Sequence, residues 1–202
     1  MLTLTRRENR KFQTAKLLRN AMVELILDDN NIREITVSEI ASRADLNRGT
    51  FYIHYKEKEE LTEDLFAEAI EGIRHALRVP YENIDKVILE GVVPSTRLIF
   101  EHIENHKSLF QALDLVQATP NLYDRLEEEM RKITIEEIRF QMEKGAAEIE
   151  YDIFASYQVH ATLGVIKHWI RSRFKYSADY MSEQLTAIYS QRITAMIINR
   201  GN

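Results

Sequence analysis

Two helix starts stand so close together in residues 36–58 that only a short helix and a tight turn fit between them. Thr36-Val37-Ser38-Glu39 has the pattern of a capping box. The threonine hydroxyl can accept from the amide three residues on, while the glutamate reaches back to the threonine amide. Eleven residues after Thr36 comes Asn47, whose carboxamide can cap a second helix. Val37, Ile40, Ala41 and Ala44 recur at helical spacing and predict a helix from Val37 to about Ala44 with one buried face. Asp45-Leu46-Asn47 is left for the corner, with Leu46 as its apolar plug. Helix, three-residue turn, helix is the layout that presents its second helix to the major groove of DNA.

That second helix is polar except for Phe51 and Tyr55, which share a face four residues apart and are expected to be buried. Arg48 and Tyr52 flank the pair on one edge, Thr50 and His54 on the other, and Lys58 follows. Any one of these, taken alone, is commonly an ordinary surface or core residue. Their concurrence directly after a helix-turn-helix corner points to phosphates and base edges instead. Gly49 costs a helix up to ~1 kcal/mol relative to alanine, and close approach to a groove explains its use. Upstream, Phe12, Ala15, Leu18, Met22, Leu25 and Ile26 mark a longer amphipathic helix over about residues 7–27, completing a three-helix head.

With these residues in place, the head resembles the TetR family of bacterial transcriptional regulators. The likeness runs through Ile35-Thr36-Val37-Ser38-Glu39-Ile40-Ala41, Asn47-Arg48-Gly49-Thr50-Phe51-Tyr52 and His54-Tyr55-Lys56-Glu57-Lys58-Glu59-Glu60-Leu61, about the first third of the chain. It departs at Tyr55, more often phenylalanine, and at Ile53, often a polar aromatic. The resemblance implies that Arg48 and Thr50 approach bases and that Thr36, Tyr52, His54 and Lys58 bind phosphates. With Asn47 and Gly49 these form the expected DNA-binding set.

The net charge of −5 looks unsuited to nucleic acid until it is divided: residues 1–58 carry +3 and residues 59–202 carry −8. An acidic body would repel phosphate and leave the head, with Arg6, Arg7, Arg10 and Lys11, as the contact surface. A hydrophobic content of 45% is enough for a core and argues against global disorder. The chain has no cysteine, which excludes disulfides and thiol redox sensing. No segment approaches the ~20 apolar residues of a membrane helix, and no apolar signal region opens the chain. A cytoplasmic protein is expected.

The remainder reads as helical, with only 6 glycines and 3 prolines in the chain. Helices are predicted over about 58–77, from Pro94, over 107–116, from a Thr119 cap to about Lys144, and over 149–174 and 178–199. Residues 79–93 form the irregular connection. The fold class is therefore all-α; the resemblance implies a DNA-binding helix-turn-helix domain over 1–58 and a helical effector-binding and dimerisation domain over 59–202. The resemblance implies a homodimer built on the last two helices, with Phe154, Ala161, Val165, Met181, Leu185, Ile188 and Met196 as interface candidates. Gly164-Val165-Ile166-Lys167-His168-Trp169-Ile170 is also similar to the C-terminal domain of a subgroup found in Firmicutes.

An enzyme is not expected. A carboxylate-bridged di-metal bundle needs Glu-x-x-His pairs, and none of the six histidines has glutamate three residues before it. No phosphate loop, nucleophile elbow or zinc motif occurs; no cofactor and no metal are expected, and Glu127-Glu128-Glu129 reads as a solvated face. With the head's residues, the resemblance implies a DNA-binding transcriptional regulator, a repressor released from a double-stranded operator by a small molecule. An apolar or aromatic effector would suit Phe100, Phe110, Phe140, Tyr157 and Trp169, with His102 and His160 as polar anchors. The alternative is a TetR-like coregulator acting through protein contacts. It would be expected to lack Arg48, Tyr52 or Lys58, and all are present.

Overall fold

Thr36 closes its capping box: the Thr36 hydroxyl accepts from the Glu39 amide at 3.3 Å, and the Glu39 carboxylate accepts from the Thr36 amide at 2.8 Å. From there the short helix Val37–Arg43 runs to the Asp45-Leu46 corner. The computed structural model describes residues 5–29, 32–82, 93–137 and 149–190. Those residues are all-α, in chain order α1 (Arg6–Asp29), α2 (Val37–Arg43), α3 (Arg48–His54), α4 (Lys58–Arg78), α5 (Pro94–Asn105), α6 (Lys107–Leu115), α7 (Leu122–Glu136), α8 (Tyr151–Arg171) and α9 (Ala178–Ser190). A 3₁₀ turn, Val79–Tyr81, follows α4.

Two sequence expectations shift. The cap of α7 is Asn121, whose carboxamide accepts from the Tyr123 and Asp124 amides, so the helix starts after Pro120 rather than at Thr119. An asparagine with an aspartate three residues on builds the same reciprocal box as Thr36 and Glu39. Phe12, placed on the buried stripe of α1, is 54% exposed; the buried stripe begins at Leu18. In the first turns of α1, Phe12 lies beside His54 and Tyr55.

One apolar cluster runs from Leu18, Met22 and Phe51 in the first three helices through Leu65, Phe66 and Ile73 of α4 to Phe100, Phe110, Leu126 and Trp169. Helix α1 packs on both α2 and α6. Helix α4 packs against α5 and α7. Three arginine–glutamate pairs fasten α4 to the α7 segment. Arg125 grips Glu63 at 2.7 and 2.8 Å, Arg74 grips Glu129 at 2.6 and 2.9 Å, and Arg78 grips Glu137 at 2.8 and 2.6 Å. Each is a two-pronged pair, the geometry in which guanidinium and carboxylate bind best. Glu129 is thus folded under Arg74 rather than solvated, because α4 lies across that side of α7.

Candidate nucleic-acid interface

Helix α3 is short and held at both ends. Asn47 caps it, its side-chain oxygen accepting from the Thr50 amide at 2.8 Å and the Thr50 hydroxyl at 3.1 Å. A β-carbon on Gly49 would come within 3.2 Å of that same oxygen, so glycine also protects the cap. At the other end Phe51 and Tyr55 are buried, as their spacing predicts. The Tyr55 hydroxyl donates to Asp64 at 2.6 Å, and Asp64 also accepts from Arg19 at 2.9 Å. One carboxylate therefore ties together the end of α3, the middle of α1 and the first turns of α4. Burial, then the Asp64 carboxylate, pushes the Tyr55 phenol far above its ordinary pKa, so the hydroxyl stays a donor. The sequence marks the burial of Tyr55 but not this use of its hydroxyl.

With Phe51 and Tyr55 turned inward, the rest of α3 faces solvent. Arg48 lies along Tyr52, its guanidinium donating to the Tyr52 hydroxyl at 3.1 Å and sitting 5.6 Å from the ring centre. Both are exposed. Lys11 of α1 lies beside His54 at this end of α3, and partial burial, then Lys11, hold His54 below its usual pKa. Arg6, Arg7, Arg10 and Lys11 are exposed along the first turns of α1.

Within the expected DNA-binding set, Asn47 and Thr50 share the α3 cap, and Thr36 and Lys58 are engaged elsewhere. The Thr36 hydroxyl donates to Glu39 at 2.7 Å and accepts from the Glu39 amide, so its hydrogen-bonding capacity goes to the cap. Lys58 turns away from solvent. Its ammonium donates to three backbone carbonyls, Ile32 at 3.0 Å, Arg33 at 2.9 Å and Ile35 at 2.9 Å. An ammonium has three protons, and all three are used. Lys58 thus holds the segment before α2 to the start of α4, and a phosphate contact would require it to give up a carbonyl. Sequence spacing places Lys58 near the recognition helix but cannot register three carbonyls supplied by a distant loop.

The body residues expected to line an effector site do not share one place. Phe100, Phe110 and Trp169 are fully buried and pack on neighbouring rings, Phe100 against Trp169 at 5.3 Å and Phe110 against His102 at 5.6 Å. Tyr157, 62% exposed, and His160 lie on the outer face of α8, away from that cluster. The inward face of α8 is Ala155, Val159, Thr162, Ile166 and Trp169, so residues 157 and 160 fall on the far side of the helix. Phe140 lies outside the described residues.

His102 occupies a notch in α4. A β-carbon on Gly72 would sit 1.9 Å from its ring, so only glycine admits the imidazole there. Burial, then His106 and His75, depress the His102 pKa to about 4, while the Ala69 carbonyl facing the ring works the other way. The notch forms part of an α4–α5 cleft of about 610 Å3, in whose walls Gly72 and His102 are joined by His75, Val79, Leu98 and His106.

Of the interface candidates, Phe154, Ala161 and Val165 are half-buried on α8, and Ile188 is 51% exposed on α9. Met181 and Leu185 are buried in the body's own core, because α9 packs against α5 along that side. Met196 lies outside the described residues. Among the described residues no helix is long and apolar enough to cross a membrane.

A polar recognition helix carried by a three-helix head on an all-α body defines a helix-turn-helix DNA-binding regulator. Residues 26–65 match the family described as bacterial regulatory proteins, tetR family, and residues 93–191 match a transcriptional regulator C-terminal region. The uncharacterised HTH-type transcriptional regulator YxbF of Bacillus subtilis is 24% identical over 167 residues, 83% of this chain. The chain spans 42% of that relative's length. In fold it is similar to a TetR-family transcriptional regulator of Syntrophomonas wolfei, with a TM-score of 0.64 and 15% identity over 88% of this chain and 93% of that one. The fatty acid degradation regulator FadR of Bacillus halodurans superposes with a TM-score of 0.58 and 16% identity, over 86% of this chain and 93% of that one. The chain belongs to the TetR family of transcriptional regulators. Such proteins are DNA-binding regulators rather than enzymes.

Proposed function

We propose that the chain acts as a homodimeric repressor in which each subunit presents α3 to one half-site of a near-palindromic operator. The observation that carries this is the outward face of α3. Arg48, Thr50, Tyr52 and His54 surround it, and the Asn47 cap and buried Phe51 hold it rigid. Arg48 and Thr50 are the base readers; Tyr52, His54 and the α1 cations are the phosphate contacts. Residues 1–58 serve as the DNA-binding part and residues 59–202 as the effector and dimerisation part. The dimer uses the outer surfaces of α8 and α9, where Ile153, Tyr157 and Ile188 stand exposed beside half-buried Phe154, Ala161 and Val165.

An apolar or aromatic effector in the α4–α5 cleft completes the reading. A molecule wedged there bears directly on the helix that begins at the head, and a coupling of ~1–3 kcal/mol suffices for regulation. The test is selection of duplexes from a random pool, followed by titration of wild type and Arg48→Ala. Arg48→Ala should cost ~1–3 kcal/mol on the selected duplex and little on random DNA. Equal losses on both would remove Arg48 as a base reader. Compounds that change the emission of Trp169, the only tryptophan, should release the duplex; compounds that bind without release would refute the effector role.

A further inference from the structure

Among the described residues Ile53 is the most exposed large apolar side chain, at 72%. It lies midway between Phe51 and Tyr55, two residues from each, and two residues of helix turn through about 200°. With those two rings in the core, Ile53 occupies the outermost line of α3. Gly49, four residues earlier on that line, has no side chain, so the helix can come close to whatever it faces. Ile53 is flanked by Thr50, Tyr52 and His54, with Arg48 along Tyr52; each of these carries polar atoms that can hydrogen-bond, and Ile53 can neither donate nor accept. At the centre of a surface suited to phosphates and base edges, a branched alkyl group needs an apolar counterpart. The major groove offers one on the base edges, the C5-methyl of thymine.

We propose that Ile53 reads a thymine in each operator half-site by covering its 5-methyl group. This rests on α3 being the recognition helix. The methyl lies on the groove floor, at the depth that the bare Gly49 line lets the helix reach.

Replacing thymine by uracil removes the methyl and leaves every hydrogen-bonding group in place. The intact protein selects duplexes from a random pool, and each thymine of the selected duplex is then changed to uracil in turn. One position per half-site should weaken binding about fourfold, the effect of one buried methyl at ~0.8 kcal/mol. With Ile53→Ala that position should tolerate uracil with little change. Because Ile53 is exposed, the variant should melt with the wild type, which separates lost reading from lost folding. Selective binding with uracil neutral at every thymine, or with the same uracil penalty in Ile53→Ala, overturns the assignment while leaving α3 as the reader. Failure to enrich any duplex overturns both.

Discussion

Lys58 offers the sharpest separation between a structural and a DNA-contacting role. Lys58→Ala deletes three ammonium–carbonyl hydrogen bonds, two part-buried and one exposed. Bonds to a charged group contribute roughly 1.5–3 kcal/mol each. The two part-buried ones, taken at the lower bound, give about 3 kcal/mol, and water replaces the exposed one. Against this, Lys58 is a cation at the N-terminus of α4, where the helix dipole disfavours it, so its removal returns about 0.3–1 kcal/mol. The carbonyls win, and the net loss should be about 2–3 kcal/mol. For a chain of this size, that lowers Tm by roughly 4–12 °C. Lys58→Met, which keeps most of the stem, should lose nearly as much, because the stem was not the source. The companion assay is the salt dependence of duplex binding, in which each phosphate contact contributes a slope of about 0.9. Both variants should keep the wild-type slope. A variant that melts like wild type but loses about one phosphate from its slope would refute this account of Lys58.

Three further outcomes are expected. Tyr55→Phe keeps the buried ring but strands the Asp64 contact, and should lower stability by ~1–1.5 kcal/mol in chemical denaturation; an unchanged midpoint would show the hydroxyl to be idle. Since the folded protein holds the His102 pKa near 4 and the unfolded chain near 6.5, the unfolded state takes up the proton first as pH falls. Stability should therefore decline from about pH 6.5 towards pH 4, and His102→Gln should decline less over that window; equal losses would exclude His102 as the source. Tyr157→Glu and Ile188→Glu should sediment as monomers with near-native melting, whereas Leu185→Ala should lose ~2–5 kcal/mol of stability in each subunit. Leu185→Ala dissociating without loss of stability would return that residue to the interface.

The head was legible because its signals are local. A capping box, an asparagine cap and a pair of apolar residues four apart describe interactions within one or two turns. The chain forms them as Thr36 with Glu39, Asn47 with Thr50, and buried Phe51. The all-α class and the starts of α4, α5 and α6 rest on the same periodicity. Body partners were not legible in this way. Whether Tyr157 faces a core or solvent depends on which side of α8 meets α7, and a helix aromatic along much of its length does not declare that side.

What the sequence determined by itself, then, is where α2 to α6 begin, which short helix carries the polar side chains, and that Arg48, Thr50, Tyr52 and His54 share one surface. Tertiary structure alone decided where charged and polar groups find partners across long separations. Lys58 meets carbonyls more than twenty residues away, Tyr55 shares Asp64 with Arg19, and Glu129 closes on Arg74. Those contacts depend on how helices cross. A side chain's reach is set by its own covalent length, but its partner is set by the packing of every element between them.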